Sequence, residues 1–327
     1  MKAVVYARYG SPDVLQLKEV EKPTPKDDEV LVRVHAASVN AYDWHALKGE
    51  PFLVRLMGFG LLKPKKQVLG SDFAGRVEAV GRSVKQFQPG DEVYGMGGGF
   101  AEYVCKREDR LALKPSNISF GEAAAVPMAA ITALQGLRDK GHIRQGQKVL
   151  IEGASGGVGT FAVQIAKSFG TEVTAVCSTR NLDQARSIGA DHVIDYTQED
   201  FTKSEQHYDL IHVANGNHSV FSYRRLLNPN GVCVMTGGGG SMTGLFLSML
   251  LTPLISRTGS KKMANMMAQV RQGDLVFMKG LIEEGKVIPR IERRYPLSQA
   301  AEALRYLGEG HAQGKIVITI DQYDKPD

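Results

Sequence analysis

Residues 149–159 combine an apolar strand, a tight turn of glycines and the start of a helix. Glycine at positions 156 and 157 lets the backbone approach a phosphate, and Gly159 allows the helix to pack close to the strand. The N-terminus of the helix offers unpaired N–H groups and a positive dipole end to an anion. The stretch therefore favours binding of a dinucleotide pyrophosphate at this turn, although a glycine-rich turn can also serve backbone geometry alone.

Strands and helices alternate around this turn. The pattern predicts strands at 148–152, 172–177, 192–195, 209–213 and 231–236. It predicts helices at 122–137, 158–169, 182–188 and 219–227. Later in the chain we expect a helix over 263–284, a strand at 290–295, a helix at 298–307 and a strand at 315–320. Strands that alternate with helices form parallel, doubly wound sheets, so the fold class is α/β.

The first part of the chain has a β-rich pattern instead. Apolar and polar residues alternate in 29–39 and 75–80, and short strands are expected at 92–94 and 100–104 after glycine turns. A chain of 327 residues is long enough for two domains. We therefore predict a β-rich domain over 1–121, an inserted nucleotide domain over 122–262, and a return segment over 263–327 that completes both.

The end of the second nucleotide-domain strand indicates which cofactor binds. Dinucleotide sites selective for NADH present an Asp or Glu there to hold the ribose 2′-hydroxyl. This chain has the sequence CSTRN at 177–181, with no acid, two hydroxyls and Arg180. An arginine can form charge-assisted hydrogen bonds with a 2′-phosphate, but it can also be an ordinary surface residue. The missing carboxylate favours NADPH over NADH.

Composition excludes several other classes of protein. The net charge is +5 and the basic residues are scattered, which argues against a nucleic-acid binder with a concentrated basic face. Three widely spaced cysteines, Cys105, Cys177 and Cys233, argue against a disulfide framework or a cysteine-rich zinc lobe. The longest apolar stretch, near 245–255, is too short to span a bilayer. We expect a cytoplasmic protein without stable membrane insertion.

Several further motifs, together with the glycine-rich turn, resemble a known family over nearly the whole chain. They are MKAVV at 1–5, SVN at 38–40 followed by Asp43, GSDFAG at 70–75, PGDEV at 89–93 and GKIV at 314–317. The chain resembles the zinc-free quinone oxidoreductase branch of the medium-chain dehydrogenase/reductases. Segment 177–181, Tyr196 and the turn at 213–216 are most similar to plant enone and chloroplast-envelope quinone oxidoreductases. This resemblance implies a GroES-like catalytic domain joined to a Rossmann domain, with NADPH and substrate in the cleft between them.

The resemblance also bears on metal binding. Zinc-dependent members hold a catalytic ion with a Cys, a His-Glu pair and a further Cys or Asp. The matching positions here are Asn40 for the first Cys, and Ser71 with Asp72 for the His-Glu pair. Asn40 and Ser71 supply neither a thiolate nor an imidazole, so we predict no metal site of this kind.

The resemblance implies a set of cofactor-binding residues. Asn40 should lie near the nicotinamide ribose or carboxamide, and Thr132 on the nicotinamide side. The expected pyrophosphate contacts are Ser155, Gly156, Gly157 and Val158. The expected 2′-phosphate contacts are Ser178, Thr179, Arg180 and Asn181. Tyr196 should pack near the adenosine, and the cofactor should also be lined by Ala214, Asn215, Thr236 and Gly237.

Without a metal to polarise an isolated carbonyl, conjugate reduction is the easier chemistry. Hydride would go to the β-carbon of an enone or 2-alkenal, or to a quinone, and hydrogen-bond donors would stabilise the resulting anion. Candidate proton donors are Tyr42, His45 and water, although Tyr42 can equally be a wall of the cleft and His45 a solvated surface residue. Relatives often carry Lys at the position of His45. Asp43 is expected to fix the local turn.

The sequence is compatible with more than one role for its apolar stretch, and with more than one function. The apolar stretch at 240–262 could form a lid over a bulky apolar substrate, cover a dimer interface or fill core. A homodimer is expected by analogy, with the strand at 227–236 as a candidate edge. A protein that binds NADPH as a sensor or an RNA-binding module without turnover, or a zinc dehydrogenase that uses other ligands, are the competing functions.

Overall fold

The computed structural model describes residues 1–50, 55, 60–65, 67–237, 252, 255–257 and 259–320. The chain forms two compact units. The first unit holds residues 1–128, 270–283 and 289–327, and the second holds residues 129–269 and 284–288. The first change of unit therefore follows Met128, whereas the sequence predicts it after residue 121. The helix over Phe120–Ala124 packs on strands of the first unit, which explains the later boundary.

The elements are numbered in chain order. The strands are β1 (Lys2–Val5), β2 (Gln16–Glu19), β3 (Glu29–Val39), β4 (Asp72–Val80), β5 (Glu92–Met96), β6 (Tyr103–Arg107), β7 (Leu111–Leu113), β8 (Lys148–Glu152), β9 (Glu172–Cys177), β10 (His192–Asp195), β11 (Tyr208–Val213), β12 (Leu227–Met235), β13 (Lys262–Asn265), β14 (Ile291–Pro296) and β15 (Lys315–Thr319). The α-helices are α1 (Ala41–Lys48), α2 (Phe120–Ala124), α3 (Pro127–Leu134), α4 (Gly157–Ser168), α5 (Leu182–Ser187), α6 (Val220–Arg225), α7 (Gln272–Glu283) and α8 (Ala300–Gly308).

The first unit is built on a seven-stranded sheet. Its order is β14-β15-β3-β4-β5-β7, and β6 pairs with β3 outside this path. All pairs are antiparallel except that of β14 with β15. The long strand β3 supplies Val30, Val32 and Val34 to one core cluster and Ala37 and Val39 to another. The β-rich first domain is confirmed.

The second unit contains a six-stranded, all-parallel sheet. Its order is β10-β9-β8-β11-β12-β13. Consecutive strands build outward from β8 on one side and from β11 on the other, so the strand order reverses between these two neighbours. Open α/β sheets bind ligands outside the carboxyl ends of the strands at such a switch point. The predicted doubly wound Rossmann sheet is confirmed, and its glycine turn lies at the switch point.

The predicted helix over 263–284 is wrong in its first part. Residues Lys262–Asn265 form β13, which lies beside β12 in parallel register, and α7 begins only at Gln272. Met263 is a core residue that is 4% exposed. Residues at this place form a strand because β12 offers them a backbone hydrogen-bonding partner. Tertiary pairing here overrides local helix propensity.

Two further element predictions need correction. The predicted helix over 122–137 is divided into α2, α3 and a π-helical segment over Gln135–Lys140, with Pro127 at the break. Proline has no N–H to continue a preceding helix. The strand predicted at 100–104 lies at Tyr103–Arg107, because Phe100 bonds through its backbone to Val4 and Leu69 instead.

The strand at 227–236 was expected to offer a free edge for a dimer. In the structure β12 is paired on one side with β11 and on the other with β13. Both neighbours pair with Val232–Met235, so the backbone groups of these residues are engaged within the chain. Within the described residues, the edges of this sheet are β10 and β13.

Candidate active site

The turn between β8 and α4 is built from glycines for reasons of space. Gly153 has a φ of +74°, in the left-handed region that glycine tolerates. A Cβ on Gly159 would overlap the carbonyl oxygen of Gly153 and lie 2.7 Å from Ala154 Cα. A Cβ on Gly156 would meet, among the described residues, only the Gly153 oxygen at 3.6 Å. The space before the first residue of α4, Gly157, is therefore open to a pyrophosphate.

Hydrogen bonds join this turn to the end of β9. Asn181 donates through Nδ2 to Ser155 Oγ at 2.9 Å and to Ser178 Oγ at 3.1 Å. Asn181 is buried, and its Oδ1 has no hydrogen-bond partner in the part of the chain that the structure describes. A buried acceptor without a donor is costly, and a ribose hydroxyl would satisfy it. The residues present therefore fit a dinucleotide.

The residues after β9 differ in their readiness to bind a 2′-phosphate. The hydroxyl of Thr179 donates to Asp195 Oδ2 at 2.5 Å, and this bond is the main reason that the pKa of Asp195 lies below its usual range. The proton of Thr179 is thus engaged by a carboxylate. Ser178 is half-buried, Arg180 is exposed and Tyr196 is 58% exposed. Ser178 and Arg180 lie on either side of Thr179 directly after β9, where the sequence predicts the 2′-phosphate contacts.

The ends of β8, β11 and β12 lie together. A Cβ on Gly153 would lie 2.9 Å from Asn215 N, and a Cβ on Gly237 would overlap the carbonyl oxygen of Ala214. Thr236, between β12 and Gly237, is half-buried. The structure therefore brings these predicted cofactor-lining residues to the carboxyl ends of the strands, beside the glycine turn. Val158, in the first turn of α4, is half-buried there.

A buried acid at the end of β8 was not among the predicted site residues. Glu152 accepts a hydrogen bond from the Tyr223 hydroxyl at 2.6 Å, and His218 Nε2 lies 3.9 Å from its other carboxylate oxygen. Burial raises the pKa of Glu152 to about 7. The acid directly precedes Gly153, so in its ionised form it would place a negative charge beside the glycine turn.

The first unit holds a dense cluster of buried polar side chains. Asn40 donates through Nδ2 to Asp72 Oδ2 at 2.8 Å and to Ser71 Oγ at 3.0 Å. Ser38 donates to the same Asp72 oxygen at 2.9 Å. Lys315 donates through Nζ to Asn40 Oδ1 at 2.5 Å, and the ammonium lies 3.6 Å from Asp72 Oδ2. The amide of Asn40 is therefore engaged at both its nitrogen and its oxygen.

Asp43 completes this cluster at the start of α1. Its Oδ2 accepts the Ser71 hydroxyl at 2.5 Å and the Asn40 N–H at 2.9 Å, and its Oδ1 accepts the Gly70 N–H at 3.1 Å. Asp43 is 1% exposed, and burial raises its pKa to about 7. These bonds fix the beginning of α1 and agree with the turn-fixing role expected for Asp43.

The predicted proton donors lie on α1. Tyr42 is 43% exposed, and partial burial together with Asp43 raises its pKa. His45 is exposed, and its Nδ1 lies 2.9 Å from the carbonyl oxygen of Glu50. Both side chains are thus reachable from solvent. Thr132, the predicted nicotinamide-side contact, is 8% exposed in α3 of the second unit.

The positions that match zinc ligands hold a different chemistry. Asn40 donates hydrogen bonds to both Ser71 and Asp72, and the cation beside them is Lys315. Among the described residues, no group of three or more His, Cys, Asp or Glu side chains could hold a metal ion. The donor set of this cluster does not fit zinc, which prefers thiolate and imidazole.

The apolar stretch at 240–262 lies largely outside the described residues. Of the residues at 240–251 the structure describes none. The three readings of this stretch as a lid, an interface or core are therefore left as predictions. Across the part of the chain that is described, no helix has the length and apolar character needed to cross a bilayer.

Two family models match the chain. Residues 26–116 match an alcohol dehydrogenase GroES-like domain, and residues 188–318 match a zinc-binding dehydrogenase domain. The chain is 35% identical to the chloroplast envelope quinone oxidoreductase homolog of Arabidopsis thaliana, over 97% of this chain and 98% of that one. It is 34% identical to the chloroplastic NADPH-dependent alkenal/one oxidoreductase of the same plant, over 97% and 79%.

A solved structure agrees with this likeness. The quinone oxidoreductase of Coxiella burnetii superposes with a TM-score of 0.85 at 30% identity, over 98% of this chain and 99% of that one. The two-unit fold, the glycine turn and these likenesses define an NAD(P)-dependent oxidoreductase. The chain belongs to the medium-chain dehydrogenase/reductase family, in its quinone oxidoreductase branch.

Sequence reasoning missed Lys315 and Glu152 as site residues. Lys315 stands in the motif GKIV, where a lysine opens an otherwise apolar strand, and that pattern is the signal that could have found it. Glu152 likewise ends the apolar run VLIE just before the glycine turn. A single charge at the end of a buried strand indicates a partner or a ligand, because an isolated buried charge is costly.

Proposed function

We propose that this oxidoreductase is zinc-independent, uses NADPH, and reduces a quinone or the carbon–carbon double bond of an α,β-unsaturated carbonyl. The observation that carries the proposal is the stretch after β9, where Ser178 and Arg180 stand and no residue from 178 to 181 is an acid. The names of the plant relatives, a quinone oxidoreductase and an NADPH-dependent alkenal/one oxidoreductase, support the same substrate classes.

Residues of the second unit would hold the cofactor, which supplies hydride when bound. The N–H groups at the start of α4, with Ser155, Gly156, Gly157 and Val158, would take the pyrophosphate. Ser178 and Arg180 would take the 2′-phosphate, and Asn181 a ribose hydroxyl. Tyr196 would pack on the adenosine. The remaining proposed contacts are Thr132, Ala214, Asn215, Thr236 and Gly237.

Residues of the first unit would manage the charge that develops on the substrate. When hydride adds to the β-carbon, the electrons of the double bond move onto the carbonyl oxygen as an enolate, and the α-carbon then takes a proton. Tyr42 and His45 would donate hydrogen bonds to that oxygen or supply the proton, directly or through water. Asn40 would orient the nicotinamide side of the cofactor. Conjugate reduction suits this set because its charge is spread over the conjugated system.

An acceptor panel tests the proposed reaction. We expect NADPH absorbance at 340 nm to fall with trans-2-hexenal, a cyclic enone or a benzoquinone, and to stay constant with a saturated ketone. Added chelator should leave these rates unchanged, because no zinc takes part. Measurable NADPH binding without turnover of any acceptor would move the protein to the sensor or RNA-binding class. Loss of activity with chelator would contradict zinc independence.

Arg180→Gln tests the choice of cofactor. We expect the KM for NADPH to rise about tenfold and the KM for NADH to change little, because a charge-assisted bond to the 2′-phosphate is lost. Steady-state kinetics with both cofactors measures the ratio. The matched control is Arg186→Gln, which removes another exposed arginine that pairs with Asp183 on α5. An equal loss for NADPH and NADH, or the same loss in the control, would contradict a 2′-phosphate contact.

We propose a homodimer and a cytoplasmic location as accompanying properties. Among the described strands of the second unit, β13 lies at one end of the sheet and is the strand best suited to pair with a second copy, since β12 is paired on both sides. Cys105, Cys177 and Cys233 are free thiols, and burial raises the pKa of all three, which suits a reducing compartment. An apolar carbonyl or quinone is the expected partner, with no nucleic acid.

A further inference from the structure

We propose that Lys315 is a positioning residue for hydride transfer: its ammonium, held between Asn40 and Asp72, takes the structural place of a bound cation and fixes the amide of Asn40 in one orientation. This inference rests on the proposed function, because Asn40 is there the residue that orients the nicotinamide side. It extends that function by naming the group that makes Asn40 competent. Lys315 itself is 2% exposed and need not touch substrate.

The local fold brings Lys315 to this place. Gly314 has a φ of +105°, which L-residues rarely adopt, and a Cβ on it would lie 2.5 Å from the Arg290 carbonyl oxygen. The turn therefore requires glycine, and β15 starts directly after it. Ile316 pairs with Val39 in the antiparallel register of β15 and β3, so Lys315 stands opposite the end of β3. Its side chain reaches the cluster from there.

The hydrogen bonds permit only one orientation of the Asn40 amide. Its oxygen accepts from the Lys315 ammonium at 2.5 Å, while its nitrogen donates to the Asp72 carboxylate at 2.8 Å. A flipped amide would set its NH2 group against the ammonium and its oxygen against the carboxylate. Both contacts would then be repulsive, because an ammonium only donates and a carboxylate only accepts. The ion pair thus decides which way Asn40 points.

The burial of both Lys315 and Asp72 argues against a role in fold stability alone. Both charged groups are nearly inaccessible, with Asp72 at 0% and Lys315 at 2% exposure. Burial lowers the pKa of Lys315, and it raises the pKa of Asp72. Removing two charges from water is expensive, and apolar residues of the same volume often serve stability as well or better. A specific task, such as fixing one amide, accounts for keeping the pair.

The decisive experiment is a set of variants at Lys315, Asp72 and Asn40. Lys315→Met leaves the Asp72 charge buried alone and should destabilise the fold, so Lys315→Met/Asp72→Asn is prepared beside it to restore neutrality. The double variant should regain most of the unfolding free energy, yet its kcat with trans-2-hexenal should stay about 100-fold below wild type, because Asn40 can now flip. Its KM for the hexenal should change much less than kcat.

A second cycle asks whether Lys315 acts through Asn40. Adding Asn40→Ala to the Lys315→Met/Asp72→Asn variant should not lower kcat further, because the oriented amide is already lost. The matched control is Lys114→Met, which removes another lysine of the first unit; its side chain is 6% exposed, and its ammonium lies 3.3 Å from Glu92, which is not part of the cluster. It should lower stability and leave kcat near the wild-type value.

Each outcome has a defined meaning. A kcat of Lys315→Met/Asp72→Asn close to wild type, or a further independent loss on adding Asn40→Ala, would overturn the positioning role. Failure of the wild type to reduce any acceptor would instead overturn the proposed function. In that case the same cycle, measured on the NADPH dissociation constant by nucleotide fluorescence, decides the inference: non-additive losses support a Lys315–Asn40 unit, and additive losses refute it.

Discussion

Gly159→Ala is expected to destabilise the protein by about 3 kcal/mol, since the new methyl group has no room and helix α4 must move away from β8. Its Cβ would overlap the Gly153 carbonyl oxygen and lie 2.7 Å from Ala154 Cα, and both of these neighbours are backbone. Backbone atoms cannot give way as the end of a flexible side chain can. Denaturant unfolding followed by circular dichroism measures the loss, and NADPH binding should weaken with it.

Gly156→Ala is the matched control for that experiment. Its Cβ would meet the Gly153 oxygen at 3.6 Å, an ordinary contact, and its φ of −79° suits alanine. Stability should therefore change by about 1 kcal/mol or less. The methyl group would occupy the space assigned to the pyrophosphate, so the dissociation constant for NADPH should rise about tenfold. A Gly159→Ala protein of full stability, or a Gly156→Ala protein with normal NADPH affinity, would contradict these assignments.

Glu152→Gln is expected to make the protein more stable by up to about 3 kcal/mol above pH 7. Burial raises the pKa of Glu152 from 4.5 to about 7. Between these pH values the unfolded chain has lost this proton and the folded protein has kept it, so wild-type stability falls as pH rises. Below pH 4.5 the Glu152 carboxyl is protonated in both the folded and the unfolded state, so it no longer makes stability depend on pH. The variant lacks this titration, and its advantage should grow through the same window.

The measurement is the free energy of unfolding of both proteins from pH 4 to pH 8. Other groups that titrate in this range, Asp43 among them, remain in both proteins, so the difference between the two curves isolates Glu152. Tyr223→Phe provides a second test. In the wild type the Tyr223 hydroxyl donates to Glu152 Oε2, and this bond lowers the pKa of Glu152. The substitution removes the bond and so raises that pKa further, and the fall in stability should extend to higher pH. Parallel curves for wild type and Glu152→Gln would refute the burial argument.

The Rossmann half of the fold could be predicted because its requirements are visible in single residues. The apolar strand before Gly153, the close approach at Gly159 and the alternation that follows each depend on neighbours in sequence, and the six-stranded sheet agrees with them. The start of the predicted helix over 263–284 failed for the opposite reason. Whether Met263 is helical or extended depends on pairing with β12, which local sequence does not describe.

The candidate site was predictable in part for the same reason. The residues at 177–181 and the missing zinc ligands can be recognised where they stand. Lys315 could not be assigned to the site in this way, because it lies 275 residues from Asn40 and meets it only through the pairing of β15 with β3. The engagement of Thr179 by Asp195 also needs the third dimension, since β9 and β10 must lie side by side to form it.

The division of the chain limits how this protein can be recombined. The second unit needs residues 284–288 as well as 129–269, so it is not one continuous stretch. Gln164 in α4 shows why the short piece matters: its Nε2 donates to the Ile288 carbonyl oxygen at 3.1 Å, and its Oε1 accepts the Ile288 N–H at 2.8 Å. A chimera that exchanges residues 129–269 alone would place a foreign helix against the original Ile288. Changing the cofactor module by gene fusion therefore requires two grafts, of residues 129–269 and of residues 284–288, and four matched junctions.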